Sequence, residues 1–103
     1  MIIVNKNEGP KIPWEEDGFY VTFDDELTLK LSKYQKDDPV HKDICYDADG
    51  DLQIGTKGAK RYVAELDIPA RQYETVLDED NNEVQEALPL DMDEVTLTLW
   101  AIA

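Results

Sequence analysis

The sequence predicts an all-β protein: a single-domain β-sandwich, or a partly open barrel, of seven to nine short, mostly antiparallel strands. Three observations carry this expectation. Apolar residues recur with a period of two and nowhere keep helical spacing over ten residues, the alternation that places successive side chains on opposite faces of a strand. Val, Thr, Tyr and Trp concentrate in the same segments, and these residues fit a pleated, half-buried surface. Turn-forming Gly, Asp, Asn and Pro interrupt the pattern about every ten residues, the rhythm of a sandwich or barrel.

The strands are expected at 1–5, 18–23, 26–33, 40–46, 52–55, 61–68, 72–77, 83–88 and 94–102. Met1-Ile2-Ile3-Val4-Asn5 reads as a first strand, too short and too lacking in basic residues for a secretory leader. Residues 8–17 hold Pro10 and Pro13, which restrict the backbone and remove donors, so they read as an irregular connector anchored on the core by Trp14. After the strand at 18–23, Leu27, Leu29 and Leu31 alternate with Thr28, Lys30 and Ser32.

The strands at 40–46 and 52–55 form a hairpin around Asp49-Gly50. A two-residue loop would oppose Tyr46 to Gln53. A three-residue loop, Ala48-Asp49-Gly50, opposes Tyr46 to Leu52 and Ile44 to Ile54, keeps one face apolar, and gives Gly50 the left-handed position of a bulged turn. The longer loop is therefore expected.

Along 61–68, Tyr62, Ala64, Leu66 and Ile68 face the core against Val63, Glu65 and Asp67. A short helical turn would fit at 69–75. The strands at 72–77 and 83–88 turn at Asp80-Asn81-Asn82, with a register that neither strand's pattern reveals. Along 94–102, Val95, Leu97, Leu99 and Ala101 point inward and Trp100 and Ile102 outward. That pair forms either an exposed apolar patch, which would suit an interface, or a patch covered by the connector or a neighbouring strand.

The chain has 103 residues, one domain's worth, and 24 acids against 10 Lys and Arg give a formal charge of −14. A field of that sign repels nucleic acid and anionic membrane surfaces and favours protein or cationic partners. Eighteen of the acids fall in six clusters at turns or strand edges, 15–17, 24–26, 37–38, 47–51, 78–83 and 91–94. The acidity therefore reads mainly as turn chemistry and solubility. No apolar stretch approaches the roughly 20 residues of a membrane helix. The single cysteine, Cys45, provides no internal disulfide. A cytoplasmic protein, or one assembled into a particle from the cytoplasm, is expected.

No motif names a reaction, and no cofactor is implied. Asp47-Ala48-Asp49-Gly50-Asp51 is calcium-like at first sight, yet positions six and twelve of an EF-hand loop would be Leu52 and Gly58, where that loop needs glycine and glutamate. Asp47, Asp49 and Asp51 remain weak divalent-ion candidates and are better read as a turn. The run Asp78 to Glu83 reads the same way. His41, Asp43 and Cys45 share one strand face, but residues four apart on a strand lie roughly 13 Å apart, too far for a Cys–His dyad. Cys45 is expected in the core and His41 at the surface. Ser32 is the only serine and no nucleophile elbow surrounds it.

Gly55-Thr56-Lys57-Gly58-Ala59-Lys60-Arg61 is the one basic segment and lacks P-loop spacing. Arg71 is a candidate fourth cation beside it. As a positive loop on a negative protein, it would suit docking onto an acidic region of a neighbouring copy, a head-to-tail contact. The interaction candidates are thus Trp100, Ile102, Trp14, Lys57, Lys60 and Arg61.

In general texture the chain is similar to small acidic β-proteins of the virion modules of tailed phages and prophages, a likeness that no motif carries and that assigns no residue a role. The expected function is a non-enzymatic structural or protein-interaction module, acting on itself or on a protein partner, without nucleic acid or membrane. An acidic mimic of DNA is the alternative, weakened because Glu65 and Asp67 form the longest acidic ladder on any strand. An enzyme working through carboxylates is a further one.

Overall fold

The computed structural model describes residues 1–102. Among them ten strands form three sheets, one strand more than the sequence suggests. They are β1 (Ile2–Asn5), β2 (Trp14–Asp17), β3 (Tyr20–Phe23), β4 (Leu27–Lys30), β5 (Val40–Tyr46), β6 (Leu52–Ile54), β7 (Arg61–Ile68), β8 (Tyr73–Leu77), β9 (Glu83–Ala87) and β10 (Thr96–Leu99). A single helical turn, α1 (Leu31–Tyr34), follows β4, and a 3₁₀ turn at Met92–Glu94 precedes β10.

The larger sheet runs β1-β10-β7-β5-β6, and β2-β3-β4 forms a second, three-stranded sheet. Pairing is antiparallel except between β1 and β10. The two sheets share one core: Val21, Phe23 and Leu29 from the small sheet meet Ile44, Ala64, Leu66, Ile68, Leu97 and Leu99 from the large one, with Ile12, Leu31 and Leu90 closing the ends. These are the inward positions of the period-two pattern, as a sandwich requires.

Three departures from the sequence reading have identifiable causes. Trp14–Asp17 is a strand rather than connector, because a tight turn at Gly18 folds it back onto β3, pairing Trp14 with Phe23. Leu31 stays buried but leaves β4 through α1, so the expected strand 26–33 ends at Lys30. Tyr62 does not face the core: β7 carries a bulge in which Ala64 pairs with Ile44 and Tyr62 with Cys45, leaving Val63 as the extra residue. An extra residue reverses the facing of everything before it, so Tyr62 turns outward while Val63 is buried. The helical turns lie at 31–34 and 92–94 rather than at 69–75.

The β5–β6 hairpin has the expected register, Tyr46 opposite Leu52 and Ile44 opposite Ile54, with Gly50 at φ 81°. The connector binds along the chain's C-terminal segment. Asn7 Oδ1 accepts from the Ala101 N–H at 2.7 Å, and the Ile102 N–H donates to the Pro10 carbonyl at 2.8 Å. A Cβ on Gly9 would sit 2.9 Å from that of Ala101, so this closeness requires glycine.

The third sheet, β8-β9, pairs with neither of the others. It makes the molecule long, 59 × 24 × 21 Å with a radius of gyration of 16.7 Å, against about 13 Å for a compact chain of this length.

Candidate functional site

Two surface features stand apart from the core: the β8–β9 arm at one end of β7, and a ring of charged groups on the outer face of the large sheet.

The arm is rooted firmly and then left unsupported. At its base Arg71 donates from its backbone N–H to the Lys36 carbonyl at 2.8 Å and from Nη2 to the Gln35 carbonyl at 3.0 Å. Tyr73 Oη donates to Asp37 Oδ1, which also pairs with Arg71 at 3.5 Å. Arg71 is therefore committed to the arm's root and does not join the basic segment at the other end of β7. Beyond the root, Tyr73 pairs with Ala87 and Leu77 with Glu83, and every residue from 72 to 89 except Val76 is exposed. Leu77 is 64% exposed, and Tyr73, Val84 and Leu88 are large apolar residues also left in solvent. Residues 72–89 contain six acids and no cation. Glu74 stands directly opposite Glu86, a like-charge pair that costs a hairpin stability.

Lys57, Lys60 and Arg61 lie at the far end of β7, all exposed, and none forms an ion pair among the described residues. Arg61 Nη1 donates to the Ile102 carbonyl. Lys60, Arg61, Tyr62, Thr56 and Ala59 border an open depression of about 360 Å³.

On the outer face, antiparallel pairing sets His41 opposite Asp67 and Asp43 opposite Glu65. His41 Nδ1 lies 2.6 Å from Asp67 Oδ1, and Nε2 lies 2.8 Å from Asp43 Oδ1 and 3.5 Å from Glu65 Oε1. The hydrogen bonds to Asp67 and then Asp43 raise the imidazole pKa above its ordinary value, against a smaller opposing effect of burial. Glu65 Oε2 in turn accepts from the Trp100 indole N–H at 2.7 Å. Trp100 stacks on Tyr62 with ring centroids 5.3 Å apart, and the Lys6 ammonium sits 5.5 Å from the Trp100 ring.

The expected apolar pair is thus divided. Trp100 is half-buried in this polar network, while Ile102 is half-buried against the core under the connector. Trp14 packs against the core from β2. Cys45 is fully buried, though on the outer face between its register partners Tyr62 and Gln53. Burial, and then the nearby Asp43 and Glu65 carboxylates, push its thiol pKa up.

Asp47, Asp49 and Asp51 come close together, but Asp47 Oδ1 already accepts from the backbone N–H of Asp49 at 2.8 Å and of Asp51 at 3.0 Å. That is the geometry of an Asx turn. The sequence sets His41 and Asp43 on one strand face but does not assemble the ring, because Glu65 and Asp67 come from the adjacent strand. One signal pointed to it: only six acids lie outside the turn clusters, and Asp43, Glu65 and Asp67 are three of them.

Comparison of the chain with protein families, characterised proteins and solved structures returned no match. No helix among the described residues is long and apolar enough to cross a membrane.

Proposed function

We propose that this chain is a structural module that works by protein contact, self-assembling through its β8–β9 arm within a larger particle of the virion type. One observation carries this reading: a rooted hairpin that holds Tyr73 and Leu77 on one face and Val84 and Leu88 on the other in solvent, with no sheet or core behind either among the described residues. An isolated two-stranded hairpin is marginal in water, and exposed apolar groups with a polar rim are typical of surfaces completed by association. The root bonds at Arg71 and Tyr73 support the same reading, since an element held in a fixed direction loses less entropy on docking.

Light scattering coupled to size exclusion tests this. The wild-type chain associates with rising concentration, and Leu77→Ser/Val84→Ser, which leaves the body core untouched, remains a monomer. A wild-type chain that stays monomeric at high concentration and brings no partner through purification would remove the reading.

A further inference from the structure

Charge is distributed along the molecule with a direction. The arm leaves the C-terminal end of β7, and the basic loop enters at its N-terminal end. Seven steps of about 3.3 Å separate the two ends, roughly 23 Å. The arm carries six acids and no cation, whereas residues 52–64 hold Lys57, Lys60 and Arg61 and no acid. One other stretch holds three cations and no acid, 27–36 with Lys30, Lys33 and Lys36. It ends at the arm's own root, where the Lys36 carbonyl accepts the Arg71 N–H, and Lys30 sits 5.8 Å from the Tyr20 ring. Arg71 is engaged with Asp37.

Within one molecule the arm and this loop stand at opposite ends of β7, and the arm pairs with no other sheet. From these observations, and resting on the assembly reading above, we infer that the receiving surface for the arm is the basic loop of a second copy, 56–62, in a head-to-tail contact. The apolar complement is present as well. Tyr62, turned outward by the β7 bulge, is 37% exposed beside Lys60 and Arg61 and borders the open depression there, offering a floor for Val84, which shares the arm face of Glu74 and Glu86. The opposed Glu74 and Glu86 repel each other in the free arm, and cations of a neighbour relieve that repulsion. Donor and acceptor surfaces lie at opposite ends, so the contact is heterologous. Each copy uses both, and repetition gives a ring if the rotation closes or a filament if it does not.

Salt gives a distinctive signature. Each copy carries −14 overall, so at low ionic strength, where the Debye length is about 30 Å, whole bodies repel. Near physiological salt that length falls to about 8 Å, and only the juxtaposed arm and loop act; at 1 M, about 3 Å, their attraction is screened too. Association is therefore strongest at intermediate salt.

The deciding experiment is a charge swap followed by light scattering at 0.15 M salt. Lys57→Glu/Lys60→Glu/Arg61→Glu and, separately, Glu74→Lys/Glu83→Lys/Glu86→Lys each weaken association about 30-fold or more, as expected when three exposed pairs become three repulsions. Combining both sets in one chain restores it, and mixing the two singly reversed proteins restores it as well. Circular dichroism confirms that each variant folds, since every altered side chain is exposed. If the loop-reversed protein associates like wild type while Leu77→Ser/Val84→Ser does not, the arm docks elsewhere: this inference falls and the assembly reading stands. If the wild-type chain is monomeric throughout and brings no partner through purification, both fall.

Discussion

Asp47 and Asp78 hold the same position in two hairpins that lie in different sheets. Each side chain accepts two backbone N–H groups, from residues two and four further on: Asp49 and Asp51 at 2.8 and 3.0 Å, Asp80 and Asn82 at 2.9 Å each. Each loop also places its fourth residue in the left-handed region, Gly50 at φ 81° and Asn81 at φ 61°. The turns are alike; what stands behind them is not. Asp47→Ala removes two charge-assisted hydrogen bonds from a hairpin that is part of the body, and should cost about 1–2 kcal/mol in chemical denaturation. Asp78→Ala should leave the midpoint within about 0.5 kcal/mol and instead speed amide exchange through 73–87.

Leu66 and Leu77 separate the body from the arm in another way. Leu66 is fully buried and Leu77 is 64% exposed. Leu66→Ala is expected to destabilise the fold by about 2–5 kcal/mol, and Leu77→Ala by no more than about 0.5 kcal/mol when measured on the monomer. A large loss on Leu77→Ala would show that the arm packs on something within its own chain.

His41 is the only histidine, so its titration can be followed by NMR without assignment. Its pKa should lie above the ordinary 6.5, held up first by Asp67 and then by Asp43. Asp67→Asn should bring it down. A folded-state pKa above the unfolded one means that the contribution to stability is complete below the unfolded value. It is lost as pH rises through the folded value. Stability measured between pH 6 and 8.5 should thus fall with a slope that His41→Gln removes.

Cys45 is inaccessible, and its thiol pKa is raised by burial and by Asp43 and Glu65. The thiolate is the reactive form, so a thiol reagent at neutral pH should leave the folded protein unlabelled and modify it fully in denaturant. Rapid labelling of the native chain would mean that the outer face around Tyr62 opens.

Most of the sandwich was legible because its strands obey one rule: inward positions are apolar and outward ones polar, as in Val95, Leu97 and Leu99 against Thr96 and Thr98. The β5–β6 register was legible because only one loop length kept Ile44 and Ile54 on the same face. What the pattern missed depends on non-local pairing. Trp14-Glu15-Glu16-Asp17 has no apolar alternation, and its strand state comes from β3 beside it. The bulge at Val63 has no local signature, so simple alternation puts Tyr62 on the wrong face. Cross-strand neighbours Asp67 and Glu65 met His41 and Asp43 only once β5 and β7 were known to be adjacent. The arm looked like any other hairpin, because separation from the core is a property of the assembled fold.

The one parallel pairing among the described residues has a mechanical consequence. β1 and β10 run side by side in the same direction over four register pairs, extended by the Ile2 N–H to the Val95 carbonyl and the Lys6 N–H to the Leu99 carbonyl, both at 2.8 Å. Tension between residue 1 and residue 102 pulls the two strands past each other lengthwise and does not peel them apart from one end. All of their hydrogen bonds are then loaded together, so the first step of extension must break the whole ladder at once. A protein stretched along this line resists as a clamp, whereas the β8–β9 arm, pulled at its open end, would unzip one pair at a time.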